Sequence, residues 1–215
     1  KTFIMENFYR SMRKKHDILM QGDEPLTGQW NYDQDNRNKL PKNHMPITPF
    51  VFCTDVSSVF NEIKDAGIKT MGTINPKLFI WPTNREESLQ LLAFFVAECL
   101  PLFGTFQDSM SSGEWSVYHS RISFSLNTKM LSPREVIDSA VTAWKQQPEA
   151  IAYNQLEGFV RQILGWREYM RGIYWLKMPE FGSMNFLEHA DKLPKWYWDG
   201  KTKMNCLKNA ITQSL

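Results

Sequence analysis

Apolar and polar positions change their rhythm along this chain. Over residues 2–15, Ile4, Met5, Phe8, Tyr9 and Met12 recur at helical spacing and run into a basic turn, Arg13-Lys14-Lys15, which predicts an amphipathic helix. Ile18-Leu19-Met20 is a short apolar run that predicts a buried strand, broken by Gly22 and Pro25. Residues 21–50 are rich in Asn, Asp, Gly and Pro and predict a long loop. Asp55 is placed to cap a short helix carrying Val56, Val59, Phe60 and Ile63 on one face, stopped by Gly67. From residue 85 onward every strong signal is helical. A helix over 85–100 has Thr83 or Asn84 as its cap, Glu86 and Glu87 in its first turn, and a stripe of Leu89, Leu92, Phe95, Val96 and Cys99 that puts Cys99 in the core. Ser132-Pro133-Arg134-Glu135 spells a capping box with proline at the first helical position, and Val136, Ile137, Ala140, Val141 and Trp144 follow it. A longer helix, from about Asn154 to Tyr174, carries Leu156, Phe159, Ile163, Trp166 and Met170. Helix, strand, long loop and then helices alone predict a mainly α fold, preceded by the tail of an α/β unit.

Length and composition narrow this little further. At 215 residues the chain suffices for one sizeable core, or for a small domain plus part of a larger one. A net charge of +2 singles out no class of partner, so a nucleic-acid surface would need local clustering of Lys and Arg. Eight tryptophans are a heavy load, suited to a large core or a chromophore environment. Cys53, Cys99 and Cys206 stand far apart with no CxxC pair. That excludes a complete zinc or iron–sulfur site built from this chain alone, argues against a disulfide-stapled secreted domain, and points to the cytoplasm. No uninterrupted apolar run approaches the roughly 18 residues of a membrane span, and no secretory signal opens the chain, so no membrane partner is expected. The chain starts at Lys1 without an initiator methionine, and is expected to be an internal fragment.

Four segments carry chemistry. His119-Ser120-Arg121-Ile122-Ser123, with Leu131-Ser132-Pro133-Arg134 beyond it, is a loop dense in hydroxyl and basic groups ahead of a helix. Such a loop suits a phosphate or diphosphate, or is an ordinary capped connection. In Glu157 to Tyr169, Arg161, Gln162 and Glu168 project along a helix that would bury Phe159, Ile163 and Trp166; arginine and glutamate at this spacing usually form a solvated ion-pair face. Gly158 and Gly165 each cost about 1 kcal/mol against alanine in a helix, and seven residues apart they let something bulky approach one side. Leu193-Pro194-Lys195-Trp196-Tyr197-Trp198 followed by Met204-Asn205-Cys206-Leu207 is an aromatic cluster beside a thiol, either packing or a set of oxidisable side chains. Phe8 to Lys14 with Gly28-Gln29-Trp30-Asn31-Tyr32-Asp33 and Asn36-Arg37 reads, alone, as a basic helix and a polar loop.

Taken in order, these segments resemble the photolyase–cryptochrome superfamily, in its bacterial iron–sulfur branch. The loop at 119–123 resembles the T-S-x-L-S…L-S-P-R stretch that wraps flavin diphosphate, with His119 for Thr and Ile122 for Leu. Gly165-Trp166-Arg167-Glu168 resembles the family's W-R-E helix. Phe103-Gly104 with Asp108-Ser109-Met110 resembles its F-G…D-A-M signature, and 28–37 resembles its G-x-W-N-F-D-x-x-N-R, with Thr27 where many members carry a second Gly. The resemblance implies that residues 1–45 end an α/β antenna domain, 46–84 link domains, and 85–215 begin a helical FAD-binding domain. It implies FAD contacts from His119, Ser120, Arg121, Ile122, Ser123 and Arg167, a lesion-pocket wall at Trp166, electron transfer through Trp198, and at Cys206 one ligand of a 4Fe-4S cluster whose other ligands lie outside the chain. The full-length protein would then be a light-driven DNA photolyase, a lyase acting on damaged DNA as a monomer with FAD, a 4Fe-4S cluster and a lumazine-type antenna, passing an electron from reduced FAD to a flipped pyrimidine photoproduct of six-four type. The alternative is a cryptochrome-like blue-light photoreceptor without repair activity. The fragment alone would be inactive.

Overall fold

A computed structural model describes residues 3–215. The first helix, α1 (Met5–His16), ends where Asp17 turns left-handed at φ 51°. Arg13 belongs to no solvated basic turn: it is fully buried, donating from Nε to the Ile18 carbonyl (3.1 Å), from Nη1 to the Trp30 carbonyl (3.0 Å) and from Nη2 to the Leu19 carbonyl. Leu19 is held at φ 56°, outside extended space. Ile18 and Leu19 are therefore buried as expected but lie outside any strand, and half-buried Met20 begins one. Among the described residues β1 (Met20–Gln21) and β2 (Glu24–Pro25) pair as a short antiparallel hairpin.

The remaining architecture is helical, and two compact units divide it out of chain order. One holds the chain up to Val51 together with Pro82–Met178. In it, α3 (Arg85–Phe94) begins at Asn84, whose side chain accepts from the Glu87 N–H at 2.9 Å. A π-helical turn follows over Phe95–Cys99, in which the Leu100 N–H reaches back five residues to the Phe95 carbonyl, and the helix runs on as α4 (Leu100–Phe106). Helix α5 (Ser123–Asn127) is one turn. Helix α6 (Pro133–Gln146) shows the predicted capping box, with Ser132 and Glu135 each accepting from the other's backbone. Helix α7 (Tyr153–Val160) enters a second π-helical stretch, Arg161–Arg167, and leaves it as α8 (Glu168–Lys177).

Leu91, Leu92, Phe95, Leu100 and Phe103 meet Leu156, Phe159 and Val160 in the core, where Phe95 and Phe159 lie 4.5 Å apart between ring centroids. Burial pushes the Cys99 thiol up to about 11, so it stays protonated in that core. Gly158 lets this packing close: a Cβ there would stand 2.7 Å from Asn36 Nδ2. Gly165 does the same for α1, with Met5 Sδ 3.0 Å from where its Cβ would be. Both glycines thus admit the protein's own elements.

The span Arg85–Phe106 bears on the membrane expectation without deciding it. Read as a single 22-residue helix, it is long and apolar enough to cross a membrane by length and composition, its most apolar 18-residue window having a mean hydropathy of 1.7. Uninterrupted apolar runs do not reveal it because Gln90 and Glu98 interrupt the apolar positions without lowering the average much. Its buried face is the core just described.

The second unit holds Phe52–Trp81 and Pro179–Leu215. Thr54 and Phe79 form an isolated antiparallel bridge. Helix α2 (Ser57–Asp65) follows Asp55, whose carboxylate accepts from the Ser57 N–H at 2.9 Å, and Gly67 ends the turn at φ 67°. Beyond these lie α9 (Trp196–Asp199) and α10 (Asn205–Ser214).

Candidate functional site

The loop expected to meet a diphosphate is tense. Val117 and Arg121 sit at φ 47° and 55°, a region costly for any side chain and especially for a β-branched one. Buried Tyr118 anchors the loop through a 2.5 Å hydrogen bond with His44 Nε2, and Ile122 is fully buried. Arg121 donates to the Phe50 carbonyl and lies 4.9 Å over the Trp115 ring. His119 and Ser123 remain exposed and Ser120 half-buried. One turn on, Ser125 Oγ is buried without a hydrogen-bond partner. A polar loop held by its ends, with exposed hydroxyls and an unused buried one beside it, fits the polar chain of a dinucleotide. Arg167 joins this neighbourhood, donating from Nη2 to the Leu126 carbonyl at 3.5 Å while its Nη1 binds Glu168 at 2.6 Å. Arg134, from the same predicted motif, instead pairs with Asp138 on the surface at 2.8 Å.

The second stretch departs from its sequence reading. In an α-helix residues five apart point about 140° from each other; here the wide turn over 161–167 sets Arg161 and Trp166 on one wall of a cavity. Trp166 is 45% exposed and not a core residue. Arg161, expected on a solvated face with Gln162 and Glu168, is buried, and so is Glu157. Glu157 accepts from the Tyr9 hydroxyl and the Tyr32 N–H, both at 3.1 Å, and lies 3.4 Å from Arg161 Nε. Arg161 Nη1 donates to Asp33 at 2.8 Å. Burial raises the Glu157 carboxyl above its ordinary range, against the pull of Arg161 and the two hydrogen bonds. Burial also pushes Asp33 upward, but hydrogen bonds from Arg161 and Arg37 outweigh it and hold that carboxyl below its ordinary value. Sequence reasoning missed Glu157, Arg161 and Asp33 because nothing in their spacing signals a burial that depends on a distant loop.

Trp198 and Cys206 lie in the second unit, both exposed. Trp196 and Tyr197 stack with centroids 4.0 Å apart, and Gly200 turns the chain at φ 64° between α9 and α10. Among the described residues no group of three His, Cys, Asp or Glu side chains could hold a metal ion.

Residues 1–79 match the family described as deoxyribodipyrimidine photo-lyase-related protein. The whole chain is 37% identical to the (6-4) photolyase of Agrobacterium fabrum (strain C58 / ATCC 33970), and spans 42% of that protein's length. Two proteins of Acanthamoeba polyphaga mimivirus, described only as uncharacterized, match in part. One is 25% identical over 51% of this chain and 82% of its own length; the other is 46% identical over 19% of this chain and 21% of its own. The similarity to that photolyase runs the full length of this chain, through the strained loop, the wide turn and the aromatic cluster alike, and the match over residues 1–79 points to the same photolyase-related family.

Proposed function

We infer that the full-length protein is a light-driven DNA photolyase of the cytoplasm, acting on a pyrimidine photoproduct of the six-four type. The observation that carries this is the cavity wall shared by Trp166 and Arg161 in a chain 37% identical to a (6-4) photolyase. His119, Ser120, Arg121, Ile122, Ser123 and Arg167 would hold FAD, whose reduced form supplies the electron when excited by light. The protein's own residues bind and orient. The strained loop at 117–121 presents fixed polar groups to the cofactor's phosphates. Trp166 offers an apolar face to a base turned out of the duplex, and turning out is cheapest at a damaged, poorly stacked base. Trp198 would pass an electron towards the cofactor during its photoreduction, and Cys206 would contribute one thiolate to a cluster completed by residues outside this chain.

The test is illumination of the purified full-length protein with DNA carrying either thymine dimers or six-four photoproducts. Light-dependent loss of six-four photoproducts is expected. Intact flavin photoreduction with no repair of either lesion would move the protein to the photoreceptors. Arg167→Ala should lower flavin content, measured by absorbance after purification, and Trp198→Phe should slow photoreduction while leaving that content unchanged.

A further inference from the structure

The loop at 116–121 carries little support of its own. Internally it is closed by a hydrogen bond from the His119 N–H to the Ser116 carbonyl at 2.9 Å. Val117 at φ 47° and Arg121 at φ 55° stand in a region that side chains rarely occupy. Such conformations persist where the surrounding structure over-determines them. The support has to come from elsewhere in the chain.

It comes from a single segment. Residues 38–50 contain no helix or strand, yet they are fastened at both ends and tied twice to the loop. At the start, the Asn38 N–H donates to the Thr105 carbonyl at 3.2 Å, and Ser109 Oγ donates to the Asn38 carbonyl at 2.5 Å. At the far end, Phe50 stacks on Phe94 of α3 with ring centroids 5.5 Å apart. Between these points, a turn closed from the His44 N–H to the Pro41 carbonyl at 3.0 Å sets the imidazole. Its Nε2 lies 2.5 Å from the Tyr118 hydroxyl, and the His44 and Tyr118 rings both rest on Phe106, at 5.3 and 5.7 Å. The second tie is the Phe50 carbonyl, which accepts from Arg121. Every residue in this arrangement belongs to the first unit.

The two ties bracket His119 and Ser120, whose side chains are exposed and half-buried. We infer that residues 38–50 are a strap, and that His44, by clasping Tyr118, is a positioning residue for flavin binding. This rests on the reading of 119–123 as a flavin-binding loop and adds what holds that loop ready. His44 touches no cofactor in this role. Unclasped, the loop is free to leave its strained conformation for commoner ones. Only the fraction of molecules that keeps the strained form then binds, and apparent affinity falls with that fraction.

The experiment uses the full-length protein, stripped of flavin and titrated with FAD by fluorescence quenching. His44→Ala and Tyr118→Phe should each weaken FAD binding about three- to tenfold, the worth of one hydrogen bond. The double variant should be no weaker than either single one, because both remove the same bond. His44→Gln, whose amide nitrogen has about the reach of the imidazole Nε2, should restore most of the affinity. Hydrogen exchange of the flavin-free variants gives a second readout: peptides covering 116–123 should exchange faster, and those covering α6 and α7 should not. Unchanged FAD affinity in both single variants overturns the proposal. So do additive losses in the double variant, a Gln variant as weak as the Ala one, or faster exchange across the whole first unit, which would make the bond a general support of the fold. The repair reading fails separately: a protein that shows this His44-dependent binding yet repairs neither photoproduct under light is no photolyase.

Discussion

Two helices in this protein contain the same distortion and use it differently. Between α3 and α4 the wide turn at Phe95–Cys99 lies just before Pro101. Proline has no N–H to donate and crowds the carbonyl four residues back, so a turn that widens ahead of it relieves a local problem. Its side chains Phe95 and Cys99 are buried, and it serves the core. Between α7 and α8 the turn at Arg161–Arg167 contains no proline. It gains nothing locally, yet brings a buried guanidinium and a half-exposed indole to one wall. A distortion with a steric cause explains itself; one without such a cause points to chemistry.

The largest effect should separate the two turns. Phe95→Ala removes a ring packed against Phe103 and Phe159 and should cost about 3–5 kcal/mol. Trp166→Ala, at the exposed rim, should cost within about 1 kcal/mol. Denaturant midpoints of the full-length variants compare them. Comparable losses would mean that the second turn is as much a packing device as the first.

The charged side of the second turn should show in pH. Glu157 has a raised carboxyl in the fold, so its contribution is fully present below the ordinary value near 4.5 and is lost as pH rises through the raised one. Asp33 runs the other way: its depressed carboxyl contributes above its ordinary value near 3.8, and that contribution is lost as pH falls through the folded value. Glu157→Gln should therefore flatten the fall in stability above pH 4.5 and leave the acid limb unchanged. Melting temperatures taken across pH 3–8 decide it (a range set by roughly the carboxylate values); an unaltered upper limb would show that Glu157 is not the group that titrates there.

How much of this was legible depends on whether a residue's role is settled by its neighbours in sequence. Asn84, the Ser132–Glu135 box and Gly67 act through contacts within a few positions, and their spelling announced them. Helical period placed Leu92, Phe95 and Cys99 in the core correctly, but Leu89, on the same predicted stripe, is exposed while Ser88 and Leu91 are buried. Trp166 was misplaced because that period assumes 3.6 residues per turn, and the helix abandons it at Arg161. Arg161 looked solvated, and the burial of Glu157 went unread, because their partners, Tyr9, Tyr32 and Asp33, lie over a hundred positions away. The run at 18–20 was apolar enough for a strand, but Arg13 holds Leu19 in a conformation that no ladder accepts.

The remaining predictions scale down with locality. Ser132→Ala removes one half of the capping box on α6 and should cost about 1 kcal/mol. Two residues on, Arg134 makes a 2.8 Å pair with Asp138, but the side chains are 61% and 50% exposed. Water screens such a pair, and ordering two long side chains offsets most of what attraction remains. Arg134→Ala should therefore move the denaturant midpoint by no more than about 0.5 kcal/mol, and added salt should change the variant and the parent alike. A larger loss, or one that salt erases, would mean that Arg134 meets a second partner in the full-length protein. It would then resemble Arg161 more than its own surface neighbour, and the contrast between a buried fork and a solvated pair would need redrawing.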